Sequence, residues 1–206
     1  MKLFILLLVG FLLPTAAPAQ TPEGAPDVLV KNVTNEVLEI VRKDKDIQSG
    51  NQKKVLGLVE AKVLPNFDFS HMTRLALARE WRTATPAQQK SLTDEFRTLL
   101  VRTYSKALTE YKNQAIEFKP FRMSAGETDV KVRTLISQSG AKPIPLDYYL
   151  EKTPQGWKVY DIEVDGISLV VNYRESFAAE VRKGGVDGLI KSLQTKNRSA
   201  DGPERQ

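Results

Sequence analysis

The stretch Ile144-Pro145-Leu146-Asp147-Tyr148-Tyr149-Leu150-Glu151-Lys152-Thr153-Pro154-Gln155-Gly156-Trp157-Lys158-Val159-Tyr160-Asp161-Ile162-Glu163-Val164 decides the fold class. Ile144, Leu146, Tyr148 and Leu150 alternate with Pro145, Asp147, Tyr149 and Glu151. That period of two is a strand with one face turned to a core. Thr153-Pro154-Gln155-Gly156 reads as a hairpin turn, and Trp157 to Val164 forms a second strand with Tyr160, Ile162 and Val164 on one face. Strands joined this tightly pair antiparallel. Upstream, Val130 to Ile136 is β-rich, and Ile116, Phe118 and the residues to Met123 look extended. The expectation is a curved antiparallel sheet of about four strands over residues 115–164.

Helical periodicity frames the sheet on both sides. Val30, Val33, Val37, Ile40 and Val41 predict a helix from Asp27 to about Asp44. Val55, Leu58, Val59 and Val63 predict a second from Asn51 to Leu64, ended by Pro65. A third is expected from about His71 to Trp81. Thr85-Pro86-Ala87-Gln88 combines a capping threonine, a first-turn proline and a capping-box glutamine. It should start a long helix that reaches about Tyr111. Beyond the sheet, Asp165-Gly166 reads as its stop and Ile167 to Lys183 as helix. Gly184-Gly185 reads as a break, and Val186 to about Gln194 as a short last helix. The order gives an α+β domain over 27–194, with an N-terminal helical subdomain (27–111), the sheet (115–164) and closing helices (166–194) laid on one face. Residues 20–26 read as a flexible leader and 195–206 as a disordered tail.

The first nineteen residues are of another kind. Lys2 precedes an apolar run, Leu3 to Leu13, broken only by Gly10, and Ala17-Pro18-Ala19 supplies small residues for cleavage. This predicts a secretory signal peptide, because the run falls short of the roughly 20 apolar residues that span a bilayer. The chain has no cysteine, so neither disulfides nor a lipidated cleavage site is expected. Thirty Lys and Arg against 25 Asp and Glu give a formal charge of +5. That excess suits anionic membrane surfaces or an acidic partner and is too diffuse for a nucleic-acid footprint.

Chemistry-bearing patterns are sparse. His71 is the sole histidine, with no nucleophile elbow beside it, which argues against a hydrolase and against a metal site. Asp161 and Glu163 share a strand face, but the same pattern arises on any half-exposed strand. No phosphate-binding glycine loop is present. What remains is a surplus of large apolar side chains, which either fill a core or line a cavity.

Several ordered blocks resemble one family. Phe67-Asp68-Phe69-Ser70-His71-Met72-Thr73-Arg74-Leu75-Ala76-Leu77-Ala78-Arg79-Glu80-Trp81-Arg82 is similar to a signature of the MlaC, or toluene-tolerance, family. So are Thr85-Pro86-Ala87-Gln88-Gln89 with Phe96 and Leu99 to Tyr104, then Pro143 to Tyr148, Trp157 to Ile162, and Gly166 to Arg174 with Phe177. Glu80 and the pair Val164-Asp165 depart from the family pattern. The resemblance implies a cystatin-like sheet and a monomeric, periplasmic phospholipid carrier of the Mla pathway, without catalysis, cofactor, metal or stable membrane insertion. It also implies that the carrier shuttles lipid between an outer-membrane lipoprotein–porin complex and an inner-membrane ABC-type lipid transporter. The competing expectation is a periplasmic adaptor that binds only proteins and has no lipid cavity.

On the carrier reading, tail-binding residues come from the apolar sheet face and the helices over it. Before the sheet these are Phe67, Phe69, Met72, Leu75, Trp81, Phe96, Leu100 and Tyr104. From the sheet they are Val132, Leu146, Tyr148, Tyr160 and Ile162, and after it Leu169 and Tyr173. Arg74, Arg133 and Arg174 are the expected contacts for a phosphate at the mouth.

Overall fold

The computed structural model describes residues 24–199. The signal segment, most of the leader and residues 200–206 lie outside the described residues. Among the described residues the strands form one antiparallel meander, β1 (Ala115–Phe118), β2 (Asp129–Ser137), β3 (Ile144–Thr153), β4 (Gly156–Val164) and β5 (Ile167–Ser168), paired in chain order. The hairpin between β3 and β4 turns where the sequence places it. Thr153 pairs with Gly156, whose φ of 98° lies in the region glycine favours. The Gln155 N–H donates to Thr153 Oγ1 at 3.2 Å.

The fifth strand departs from expectation. Asp165 and Gly166 both have positive φ, 49° and 83°, which is the backbone of the tight hairpin turn that an Asp-Gly pair favours. The pair therefore reverses the chain instead of stopping the sheet. Ile167 then pairs with Val164, and Ser168 with Glu163. The expected helix at Ile167 begins only at Arg174, after a 3-10 turn at Val171–Tyr173.

Helices α1 (Pro26–Lys43), α2 (Lys45–Gln48), α3 (Gln52–Leu58), α4 (Phe69–Leu77), α5 (Pro86–Thr109) and α6 (Arg174–Ser199) complete the domain. The long helix α5 starts on the expected capping box. Gln88 N–H donates to Thr85 Oγ1, and Thr85 N–H donates to the Gln88 side chain at 2.9 Å. Two expected helices are interrupted. The one begun at Asn51 widens into a π turn at Val59–Val63 and tightens into a 3-10 turn at Leu64–Asn66. The one expected to reach Trp81 leaves the α-conformation at Ala78, where φ is 51°, and continues as a 3-10 turn.

Gly185 breaks α6 with φ 67° and ψ −172°, as the Gly184-Gly185 pair leads one to expect. The helix then runs through Ser199, past the expected onset of disorder at Thr195. The reason is burial at its far end. Leu193 is 1% exposed, and Asn197 donates to the Glu95 carbonyl and carboxylate of α5 at 2.9 and 2.7 Å.

Three apolar clusters hold these elements. One joins α4, α5 and α6 around Met72, Leu92, Phe96, Phe177 and Leu189. A second packs α1 on the sheet through Val30, Val130, Val132, Leu150 and Trp157. The third joins α1, α2, α3 and the π turn through Val41, Ile47, Val55 and Val59.

Candidate functional site

A cavity of about 310 Å³ lies where the three clusters meet, and it is not sealed from solvent. Its lining is almost wholly apolar. The π turn and the residue after it supply Val59, Val63 and Leu64. Phe67, Phe69 and Met72 come from the entry to α4, and Leu100, Val101, Tyr104, Ser105, Ala107 and Leu108 from the second half of α5. Leu146, Ile162 and Leu169 come from the sheet and the segment after it.

Local structure explains why the lining gathers here. Phe67 makes a parallel bridge to Val159 of β4, and Asp68 N–H donates to the Val159 carbonyl at 2.9 Å. Asp68 then caps α4, its Oδ1 accepting the His71 N–H at 2.8 Å. The chain is thereby pinned to the sheet at one residue and turned into a helix at the next, which sets both phenylalanines against the cavity. The π turn on the opposite wall carries Val59 and Val63. A wide turn of this kind is rare and recurs at functional sites.

The cavity is electrically quiet. Burial, with the Tyr173 hydroxyl beside it, pushes the Tyr104 hydroxyl up to about 12, so it stays neutral through the physiological range. Ser105 is 4% exposed, and among the described residues its hydroxyl has no hydrogen-bond partner. Among the described residues no charged side chain lines the space. Such a surface can hold an uncharged, apolar ligand and little else.

Of the residues expected to hold the tails, Phe67, Phe69, Met72, Leu100, Tyr104, Leu146, Ile162 and Leu169 line the cavity. Leu75, Trp81, Phe96 and Tyr173 instead belong to the helical core. Phe96 is fully buried and meets Tyr173 and Phe177 edge-on, both at 5.1 Å. Val132 and Tyr148 face the same side of the sheet as Leu146 but lie under α1, where the Tyr148 hydroxyl reaches Thr34.

Tyr160 is displaced by a β-bulge. Tyr149 pairs with Asp161 and Leu150 with Val159, which leaves Tyr160 unpaired. Its ring stacks on His71 at 4.3 Å and its hydroxyl donates to Asp129 at 2.9 Å. Val59, Val63, Leu64, Val101, Ser105, Ala107 and Leu108 were not anticipated. Val59 and Val63 continue the apolar face of the helix begun at Asn51, and Ala107 and Leu108 that of the long helix α5.

The three anticipated arginines do not line the cavity. The Arg174 guanidinium donates to the Leu75 carbonyl at 3.2 and 3.0 Å and so ties α6 to α4. Arg74 is exposed on α4. Arg133 pairs in register with Asp147, and its neighbours Val132 and Thr134 take the buried side of β2.

The carboxylates of β4 are likewise engaged. Asp161 accepts from Ser168 Oγ and from the N–H groups of Ile162 and Val170, which fixes the chain after β5. Burial nonetheless pushes its carboxyl up. Glu163 accepts from the Tyr149 hydroxyl at 2.7 Å and from Lys131 at 3.2 Å, and these partners hold its carboxyl below the usual range. Lys131 also meets Asp147 at 2.8 Å. These bonds lock the sheet's outer face.

Comparison with known proteins places the chain. The MlaC protein family matches residues 31–195. A toluene tolerance protein, Ttg2D of Pseudomonas putida, is 27% identical over 98% of this chain and 94% of its own length. An intermembrane phospholipid transport system binding protein, MlaC of Haemophilus influenzae, is 23% identical over 91% of this chain and 88% of its own. A phospholipid-binding protein from Ralstonia solanacearum, solved in complex with a phospholipid, superposes with a TM-score of 0.78. It is 41% identical and covers 85% of this chain and 98% of its own.

Proposed function

The chain belongs to the MlaC protein family, and on that premise we propose that it carries phospholipid with the acyl tails in the cavity between α5, the π turn and the sheet. The observation that supports this most is the cavity itself. A protein-only adaptor would have a filled core at this position, whereas about 310 Å³ of apolar space opens among Phe69, Met72, Tyr104 and Leu146. Pockets that hold small ligands begin near this size, at about 300 Å³.

The energetics set the mode of action. Each buried methylene is worth about 0.8 kcal/mol, so a long acyl chain cannot leave into water on a useful timescale. Release has to be a handover to another apolar site or to a bilayer. The polar headgroup stays at the rim, since burying it unpaired would oppose binding. The carrier works in the periplasm and exchanges lipid with one complex at each membrane, which fits the signal-like segment Met1 to Ala19. Among the described residues no helix is long and apolar enough to cross a membrane.

Native mass spectrometry of protein purified without detergent from a Gram-negative host tests the proposal. The expected spectrum shows a population heavier by one phospholipid. A spectrum of apo-protein alone, unchanged after incubation with vesicles, would contradict it. Fractionation of the same cells tests the compartment, and recovery in the cytoplasm alone would refute that part.

A further inference from the structure

The tail cavity leaves the polar end of the ligand unassigned, and a second space borders it. A surface cleft of about 360 Å³ runs between α5 and the segment from α3 to the 3-10 turn. Leu64 and Val101 line both the cleft and the cavity, so the two share a wall one side chain thick. Arg97 of α5 bridges them again. It lines the cleft, and its guanidinium carbon lies 5.8 Å from the centre of the Phe69 ring, which lines the cavity.

The polar lining of the cleft is of mixed sign, with Arg97 and Arg102 against Glu60 and Asp94. Arg102 donates to the Asn197 carbonyl of α6, and Asp94 pairs with Lys90 at 2.6 Å. Arg97 and Glu60 differ from these. Among the described residues neither takes part in an ion pair or a hydrogen bond, although both face one cleft. An unpaired guanidinium at the edge of an apolar cavity is suited to bidentate contact with a phosphodiester. An unpaired carboxylate in the same cleft repels a purely anionic headgroup and attracts one that carries an ammonium.

We propose that this cleft is a headgroup subsite in which Arg97 takes the phosphodiester and Glu60 the primary ammonium of a zwitterionic phospholipid. The proposal rests on the tail-cavity reading above and adds a chemical preference to it. The headgroup lies over the Leu64–Val101 wall with the tails beyond it.

The test uses vesicles holding equal amounts of phosphatidylethanolamine and phosphatidylglycerol with the same acyl chains. Wild type, Arg97→Gln and Glu60→Gln are incubated with them, and native mass spectrometry reads the lipid each carries. Both positions are exposed, so the variants should melt as the wild type does. The wild type should be enriched in phosphatidylethanolamine by about two- to five-fold, the scale of one exposed charge contact. Glu60→Gln should bring the ratio to parity, and Arg97→Gln should lower loading of both lipids by a similar factor. Wild type and Glu60→Gln with the same headgroup ratio, or Arg97→Gln loaded like wild type, would overturn the subsite while leaving the carrier reading intact. A wild type that takes up neither lipid would overturn both.

Discussion

A Ser105→Leu substitution should stabilise the empty protein and weaken its hold on lipid. Ser105 sits on the cavity wall in the second half of α5, 4% exposed, with a hydroxyl that has no partner among the described residues. A buried hydroxyl without a hydrogen bond costs about 1–3 kcal/mol. Leucine removes that cost, is the better helix former, and sends two heavy atoms past the position of the hydroxyl into space that is otherwise empty. Allowing for some readjustment, the unliganded variant should gain about 1–2 kcal/mol, and for a domain of this size its Tm should rise by about 2–8 °C. These two atoms take the place of about two methylenes of an acyl chain. At about 0.8 kcal/mol each this is about 1.6 kcal/mol, or a roughly 15-fold loss of affinity. Thermal melts of delipidated protein read the first effect, and competition for labelled phospholipid against vesicles reads the second. A delipidated variant that melts below the wild type, or one that retains lipid as well as the wild type, would refute the reasoning.

Two further substitutions separate core from site. Phe96→Ala removes a fully buried ring packed edge-on against Tyr173 and Phe177 and should cost about 3–5 kcal/mol in urea unfolding. The fraction that remains folded should still carry lipid. Glu163→Gln tests the sheet's outer face. The folded carboxyl titrates below its ordinary value because Tyr149 and Lys131 bond its charged form. Its contribution is therefore complete above about pH 4.5 and is lost as the pH falls through the lowered folded value. The variant should be less stable than wild type by up to about 1 kcal/mol at pH 7, and the two should converge in acid. A difference that persists unchanged at pH 3 would contradict the assignment.

The elements that were legible in the sequence are those with one strong local signal. The alternation from Ile144 to Leu150, the capping box at Thr85 and the Gly184-Gly185 break each map onto the structure. What escaped are departures from regular periods. The π turn at Val59–Val63 leaves the apolar pattern of a helix intact, so nothing in the spacing marks it. The bulge that removes Tyr160 from the alternation is fixed by pairing with β3, a tertiary fact. Asp165-Gly166 carried the right information, because that pair is as much a hairpin signal as a stop.

The site was legible only in part, for a related reason. Apolar periodicity says that a side chain points inward but not whether it meets atoms or space. Phe96 and Leu100 lie one helical turn apart on the same face of α5, yet Phe96 is packed against aromatic rings and Leu100 borders the cavity. The same limit hid Val101 and Leu108, whose helix face turns toward the π-turn wall. For the arginines, position in the sequence does not tell which of them borders the cavity. Arg74 and Arg174 stand within family blocks, whereas Arg97 fills an unmatched position between Phe96 and Leu99 and borders the cleft.

The most direct test is a crystal structure of the protein purified from bacterial cells without detergent. Continuous density for an acyl chain should fill the space among Val63, Phe69, Met72, Tyr104 and Leu146. Density for phospholipid at any other surface, with this cavity closed by the surrounding side chains, would contradict the account.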